Sequence, residues 1–170
     1  MRLLFLLALL SMLVVSSTTA QEQASIQAVA TVVSSLTVVG SNNLQFGTVT
    51  PGVTKLVDKA TVGFAGEWQI TGIASAEVAI TFELPDSLHI SGGTGTMRIS
   101  FSPTDASYDI GTGSQSAPTG QLNPNGPSTR RLGTGGALTV WIGGTVYPRI
   151  SQTGGDYSAE IMLTVSYTGG

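Results

Sequence analysis

The stretch DYSAEIMLTVSY, residues 156–167, alternates apolar and polar side chains with the exception of Met162. Its other apolar members fall on odd positions: Tyr157, Ala159, Ile161, Leu163, Val165 and Tyr167. Because successive side chains of a strand point to opposite faces of a sheet, this period of two predicts a β-strand with one buried face. The stretch therefore indicates the class of the fold, and the rest of the chain repeats its pattern.

The same alternation recurs toward the N-terminus in four further segments. They read EWQITGIA (67–74), EVAITFELP (77–85), TMRISFSP (96–103) and ALTVWIGG (137–144). Between them lie segments such as SGGTG and NPNGPS, whose composition is typical of turns. We predict eight or nine short strands and no significant helix after the first twenty residues. Strands with one apolar face must stack two sheets to bury it, so we predict an all-β, antiparallel two-sheet sandwich of immunoglobulin-like, pilin-like or jelly-roll type.

The N-terminus has the layout of a secretory signal peptide. Arg2 is followed by the apolar run LLFLLALLSMLVV and then by the small polar segment SSTTA. The run is too short for a stop-transfer helix, so we predict a signal peptide at residues 1–20, cleaved after Ala20, with an uncleaved anchor helix as the alternative. No later segment is long and apolar enough to span a bilayer, and we expect no membrane insertion of the mature chain.

The composition excludes several classes of protein. The chain of 170 residues has no cysteine, which excludes disulfides and a lipid-modified N-terminal cysteine. Without Arg2 it carries six basic and ten acidic side chains, a balance that offers no electrostatic surface for nucleic acid or anionic lipid. The length predicts a single domain at residues 35–170. Within it, residues 102–136 are rich in Gly, Ser, Pro and Asn, and we predict a long surface loop there.

Residues that could carry catalysis or bind a metal are scarce. His89 lies two residues after Ser87, on the same face of a predicted strand, but nothing in the sequence marks the carboxylate that a hydrolytic triad needs. Asp105 and Asp109 carry oxygen ligands suited to calcium, yet they lack the spacing of a dedicated loop, and we interpret them as solvated loop acids. We therefore predict no enzyme, no catalytic residue, no metal site and no cofactor.

The mature chain begins with an unusually long alternating segment. In QEQASIQAVATVVSSLTVV, residues 21–39, small or β-branched side chains fall on even positions, at Ile26, Ala28, Ala30 and Val32. A strand over 24–39 would be about 50 Å long at ~3.3 Å per residue, whereas most strands end near ~17–20 Å. We therefore divide it into an extension at 21–34 and the first strand of the domain. The extension can pair with its own sheet or enter the groove of another copy, and both alternatives stay open here.

Four blocks of the sequence resemble, in order, those of a bacterial secreted β-sandwich family, domain of unknown function 4402. They are LTVVGSNNLQFGTVTPG (36–52), LHISGGTGTMRISF (88–101), LTVWIGGTV (138–146) and GGDYSAEIMLTVSY (154–167). The residues at the motif positions of that family are Leu44, Phe46, Gly47, Gly143, Gly144, Gly155, Tyr157 and Tyr167. The segment 102–136 departs from the resemblance, because it is longer and richer in Pro.

Members of this family are similar to pilus and fimbrial subunits of the chaperone-usher kind. Those subunits end in an alternating strand with a Gly twelve positions before a Tyr, and Gly155 and Tyr167 keep that spacing, although three residues follow Tyr167. The similarity implies an acceptor groove or edge strand at the C-terminus, carried by Ile161, Leu163, Val165 and Tyr167. It also implies that Ile26, Ala28, Ala30 and Val32 form a donor strand.

Our leading hypothesis is a structural subunit of an extracellular filament or pilus at the cell surface. Its partners are other copies of itself, with a periplasmic chaperone and an outer-membrane usher as the helpers that the resemblance implies. Two hypotheses from other classes compete with it. One is a self-contained secreted adhesin that binds glycans through its long loop, and the other is a surface hydrolase that uses His89.

Overall fold

The computed structural model describes Gln27 and residues 35–111 and 113–169. The strands, numbered in chain order, are β1 (Thr37–Asn42), β2 (Lys55–Val57), β3 (Gly66–Thr71), β4 (Glu77–Glu83), β5 (Ser87–Ile90), β6 (Thr96–Ser100), β7 (Ala106–Asp109), β8 (Gly120–Leu122), β9 (Ser128–Arg131), β10 (Ala137–Ile142), β11 (Gly144–Tyr147), β12 (Tyr157–Ser158) and β13 (Met162–Tyr167). Their pairings are all antiparallel. The prediction of an all-β antiparallel sandwich is confirmed.

Two parts of the prediction concern residues that the structure does not describe. The signal peptide at 1–20 lies outside the described residues, and so does the extension at 21–34 apart from Gln27. The four donor positions, Ile26, Ala28, Ala30 and Val32, lie outside them as well. In the described part of the chain, no helix is long and apolar enough to cross a membrane.

Two of the three sheets enclose the larger hydrophobic core. Sheet A has the strand order β1-β3-β10-β7-β8, and sheet C has the order β13-β4-β9. Because alternate residues face inward, each strand contributes every second side chain to the core. The buried members are Ile70, Val78, Ile80, Phe82, Ala106, Leu122, Leu132, Leu138, Val140, Ile142 and Leu163. We call this cluster the closed core.

Sheet B continues strands of the other two sheets and covers a smaller core. Its order is β12-β5-β6-β11-β2. The chain passes from β10 of sheet A into β11 of sheet B at Gly143, where the backbone runs so close to β2 that an added Cβ would collide with the carbonyl oxygen of Val57. The inner face of sheet B buries three side chains, Met97, Ile99 and Val146. We call this cluster the open core.

The prediction of one long surface loop over residues 102–136 is wrong. The segment contains β7, β8 and β9, and it places Ala106, Leu122 and Leu132 in the closed core with 0–2% of their surface exposed. Its strands are three or four residues long, and glycines and prolines surround them, so they show no extended alternation. The described residues accordingly form thirteen strands rather than eight or nine.

Candidate subunit-binding groove

Strands β1 and β13 are both edge strands. In the described part of the chain β1 pairs with β3 alone and β13 pairs with β4 alone, so each has one side without a partner strand. Sheets A and C therefore end at the same flank of the sandwich without being joined. Unpaired edges expose backbone donors and acceptors that can template a further strand.

The Tyr167 hydroxyl group joins the two edges at one end. It donates a hydrogen bond to the carbonyl oxygen of Ser35 at 3.1 Å and accepts one from the backbone amide of Ile73 at 2.8 Å. These contacts hold the start of β1 and the end of β3 against the end of β13. We call this end of the molecule the base.

Away from the base, a groove of about 1160 Å³ lies between the second half of β1 and the segment that precedes β13. One wall is formed by residues 40–51, which are the second half of β1 and the segment after it. The other wall is formed by residues 152–161, which precede β13. The volume exceeds the ~300–1,000 Å³ that is usual for small-molecule pockets. An elongated groove of this size suits a polypeptide segment.

The floor of the groove is apolar. Leu88 of β5, Met97 and Ile99 of β6, and Val146 of β11 all line it. On the walls, half-buried apolar side chains face the same space: Leu44, Phe46, Val49, Tyr157 and Ile161. The charged residues of the lining are Asp156 and Glu160. The open core is thus covered on this side by wall side chains such as Phe46, Val49 and Tyr157 and, among the described residues, not by a second sheet.

The walls contain backbone that is outside the sheets. Residues 43–49 belong to no strand. Among their backbone amides, the amide of Gln45 donates a hydrogen bond to the carbonyl oxygen of Phe64 at 2.7 Å. Residues 159–161, between β12 and β13, make no backbone hydrogen bond within the described part of the chain. Backbone polar groups that are covered need partners. A strand laid between the walls would supply them on both sides.

The second end of the groove is held by two turns, which we call the tip. The Gly52 amide donates to the carbonyl oxygen of Arg149 at 3.1 Å, and the Gln152 amide donates to the same oxygen at 3.0 Å. The Gln152 side chain then supports the wall through its Nε2, which donates to the Tyr157 hydroxyl at 2.6 Å. The tip therefore joins the two walls at the end opposite the base.

The predicted C-terminal residues divide between the groove and the closed core. Ile161 lies in the wall of the groove. Leu163, Val165 and Tyr167 follow on β13 and pack against the closed core instead. Of the four predicted residues, three therefore lie on an edge strand, and the segment that borders the groove lies earlier in the chain, at 152–161.

Most of the motif residues lie around the groove. Five of them line it: Leu44, Phe46, Gly47, Gly155 and Tyr157. Gly47 has a φ of 61°, a left-handed conformation that glycine adopts without steric cost, and it turns the wall after Phe46. Gly143 and Gly144 instead form the bend between β10 and β11. The resemblance therefore marked groove residues that alternation alone did not distinguish.

The floor residues were missed as a site. The alternation of TMRISF placed Met97 and Ile99 on a buried face, which is correct, since they are 6% and 3% exposed. Nothing in their pattern says whether a second layer covers that face. A local period reports the face of a strand, whereas the layer that covers this face is a property of the whole sandwich.

The candidate catalytic and metal-binding residues lie elsewhere. His89 is exposed on β5, and the Ser87 hydroxyl donates to Asp86 Oδ1 at 2.8 Å. Asp105 closes its own turn by accepting hydrogen bonds from the Ser102 amide at 2.7 Å and the Ser102 hydroxyl at 2.6 Å. In the described residues no group of three or more His, Cys, Asp or Glu side chains could hold a metal ion.

The interpretation of Asp109 as a solvated loop acid is wrong, because it is 7% exposed at the end of β7. The Thr119 hydroxyl donates to its Oδ1 at 2.7 Å and is the main cause that lowers the pKa of Asp109 below its ordinary value of 3.8. Burial raises the pKa but is outweighed, because the amides of Gly113, Gly111 and Ser114 lower it further. Asp109 is a structural carboxylate that orders the chain after β7.

Comparison with known proteins identifies the family. A search of curated proteins found no match to the chain. The family model described as "Domain of unknown function (DUF4402)" matches residues 36–167, a range that includes both walls and the floor of the groove. The chain belongs to this family.

Proposed function

We propose that the protein is a structural subunit of an extracellular filament or pilus, in which the extension at 21–34 of one copy fills the groove of the next. The observation that carries the proposal is the groove itself. It has an apolar floor and lies between the second half of β1 and the segment that precedes β13, and its walls contain backbone that belongs to no sheet. A strand placed there would extend sheet C beyond β13 and cover the open core.

The chemistry of the extension suits this groove. Its even positions carry small or β-branched side chains, which fit a floor of Leu88, Ile99 and Val146, while Gln and Thr face the opposite way. Burying Ile26 and Val32 contributes about 1.5–3 kcal/mol each. With about ten ladder hydrogen bonds at ~0.5–1.5 kcal/mol each, the gross gain is on the order of 10–20 kcal/mol, part of which is lost in ordering the segment. Such a complex dissociates very slowly.

The positions of the two ends favour exchange between copies. The extension leaves the domain at the base, because Tyr167 holds Ser35 there. To fill its own groove the extension must double back at once beside β1, and it would then run parallel to β13. In that position it would be antiparallel to β1. A donor from another copy needs no such reversal: it can run antiparallel to β13 and parallel to β1, and leave at the tip. The base of each copy then follows the tip of the previous one, which gives an open chain.

A cysteine pair tests the exchange and its direction, because the natural chain has no cysteine. Asn43 and Thr48 are exposed positions of the same wall, nearer the base and nearer the tip, respectively. We expect the double variant Val32→Cys/Thr48→Cys to form a reducible covalent ladder on a denaturing gel after oxidation. The matched control Val32→Cys/Asn43→Cys should form far less. An internally cross-linked monomer, with the yields reversed, would show that the extension folds back into its own groove.

Deletion of residues 21–33 is the second test. Electron microscopy should find filaments with the full chain and none with the deletion variant. Filament yield equal to that of the full chain would contradict donation by the extension. The rival adhesin hypothesis relied on a long flexible loop at 102–136, and the buried Leu122 and Leu132 leave that segment less free to serve as one.

A further inference from the structure

The tip and the base each expose apolar side chains to solvent. At the tip, Ile150 is 90% exposed and Val53 is 57% exposed. The two are neighbours, since Gly52 is bonded to Arg149 and packs beside Ile150. At the base, Ile73 is 47% exposed, and its amide is bonded to Tyr167. Single exposed apolar residues are common, so their position decides whether they matter.

The two surfaces are at opposite ends of the domain. The turn at 133–136 packs against Gly72 at the base and leads directly into β10, which continues through Gly143 into β11. These eleven residues, 137–147, of which ten are in strands, end beside the tip after a path of about 35 Å at ~3.3 Å per residue, with one bend at Gly143. Contact between Ile73 and Ile150 is therefore possible only between two copies.

The length of the connecting chain brings these ends together, provided that the proposed strand donation is correct. The donor ends at Val32, and Ser35 is already anchored to Tyr167 of its own copy. Three Cα-to-Cα steps separate Val32 from Ser35, so the Cα atoms of these two residues are about 10 Å apart at most. A donor that leaves the groove at the tip thus holds the base of its own copy within that distance of the receiving copy's tip.

We propose that the tip of one copy, at Val53 and Ile150, docks against the base of the next copy, at Ile73. The partner of both surfaces is a second copy of this chain. Because two different patches meet, the contact is heterologous and repeats along the filament. It removes the exposed Ile150 side chain from water and fixes the angle between neighbouring subunits, which the short covalent connection at residues 33–34 does not determine by itself.

Cysteine cross-linking of the two ends tests this contact in the full chain. We expect oxidised Ile73→Cys/Ile150→Cys to form a reducible covalent ladder. The matched control is Val62→Cys/Ile150→Cys, because Val62 is also exposed, at 73%, but lies in the turn after β2. A yield no greater than that of the control would overturn the contact.

The comparison with the first cysteine pair separates the two proposals. If Val32→Cys/Thr48→Cys forms a ladder while Ile73→Cys/Ile150→Cys does not, the end-to-end contact fails and strand donation stands. If Val32→Cys/Thr48→Cys forms none, strand donation fails, and so does the contact that rests on it.

A second variant measures the consequence for the filament. We expect Ile150→Asp to shorten filaments at least fivefold by electron microscopy, because it places a charge against the apolar base. Val62→Asp should leave their length unchanged. Equal lengths for Ile150→Asp and the natural chain would overturn the proposal.

Discussion

The closed core and the open core are built from the same kind of strand, yet they differ in completeness. The closed core buries eleven apolar side chains between sheets A and C, whereas the open core buries three beneath the groove. Both cores occur in one continuous sandwich, and β10 runs into β11 between them. Because the strands are alike, the difference must come from the number of layers that cover them. One region is enclosed by two sheets, and the other is covered by wall segments that belong largely to no strand.

The largest expected effect separates the two cores directly. Ile80→Ala should lower the free energy of unfolding by about 2–5 kcal/mol, because Ile80 is fully buried between β13 and β9 and the lost atoms leave a closed cavity. Ile99→Ala removes the same atoms from the floor of the groove, where Phe46 and Val49 pack from a wall that belongs to no strand and can close over the space, so the loss should be smaller, about 2 kcal/mol. Urea unfolding of the monomeric protein measures both. Equal losses would mean that the floor is covered as completely as the closed core.

The next effect compares two tyrosine hydroxyl groups. Tyr167→Phe should cost about 1–2 kcal/mol, because it removes two hydrogen bonds that join segments distant in the chain, at Ser35 and Ile73. Tyr157→Phe also removes two, but these reach Gln152 and Thr153, which are neighbours in the wall of the groove, and the loss should be smaller. Urea unfolding gives the totals, and hydrogen exchange of the β1 amides should increase in Tyr167→Phe alone. Faster hydrogen exchange of the β1 amides in Tyr157→Phe would contradict the assignment of the long-range contacts to Tyr167 and of the local contacts to Tyr157.

The smallest expected effect concerns the acid stability of the closed region. Because its native pKa is lowered, Asp109 stabilises the fold above its ordinary pKa of 3.8, and this contribution disappears as the pH falls through the lower native value. Asp109→Asn should therefore be less stable than the natural protein by about 1 kcal/mol at pH 7, and this difference should shrink below pH 3.8 and vanish below the lowered native pKa. Thermal unfolding between pH 7 and pH 2 measures this. A constant gap at every pH would refute the role of the Asp109 charge.

Much of the architecture could be predicted from local patterns. The alternation at Tyr157 to Tyr167 and in EVAITFELP predicted strands that face the core, and β13 and β4 do so and pair with each other. Alternation is a reliable signal because side chains of a strand change face at every residue. It failed in 102–136, where strands of three or four residues are too short to show a period and Asp109 is buried by contacts made with Thr119 and nearby amides.

The sequence by itself determined the β class, the buried faces of the long strands and the cysteine-free chemistry of the chain, because these depend on neighbouring residues. Only the tertiary structure decided that β1 and β13 are edges facing one another, that Ile161 rather than Val165 borders the groove, and that Met97, Ile99 and Val146 form its floor. These features arise from segments that are far apart in the chain. Whether a buried face is covered depends on which strands arrive beside it, and no local period records that.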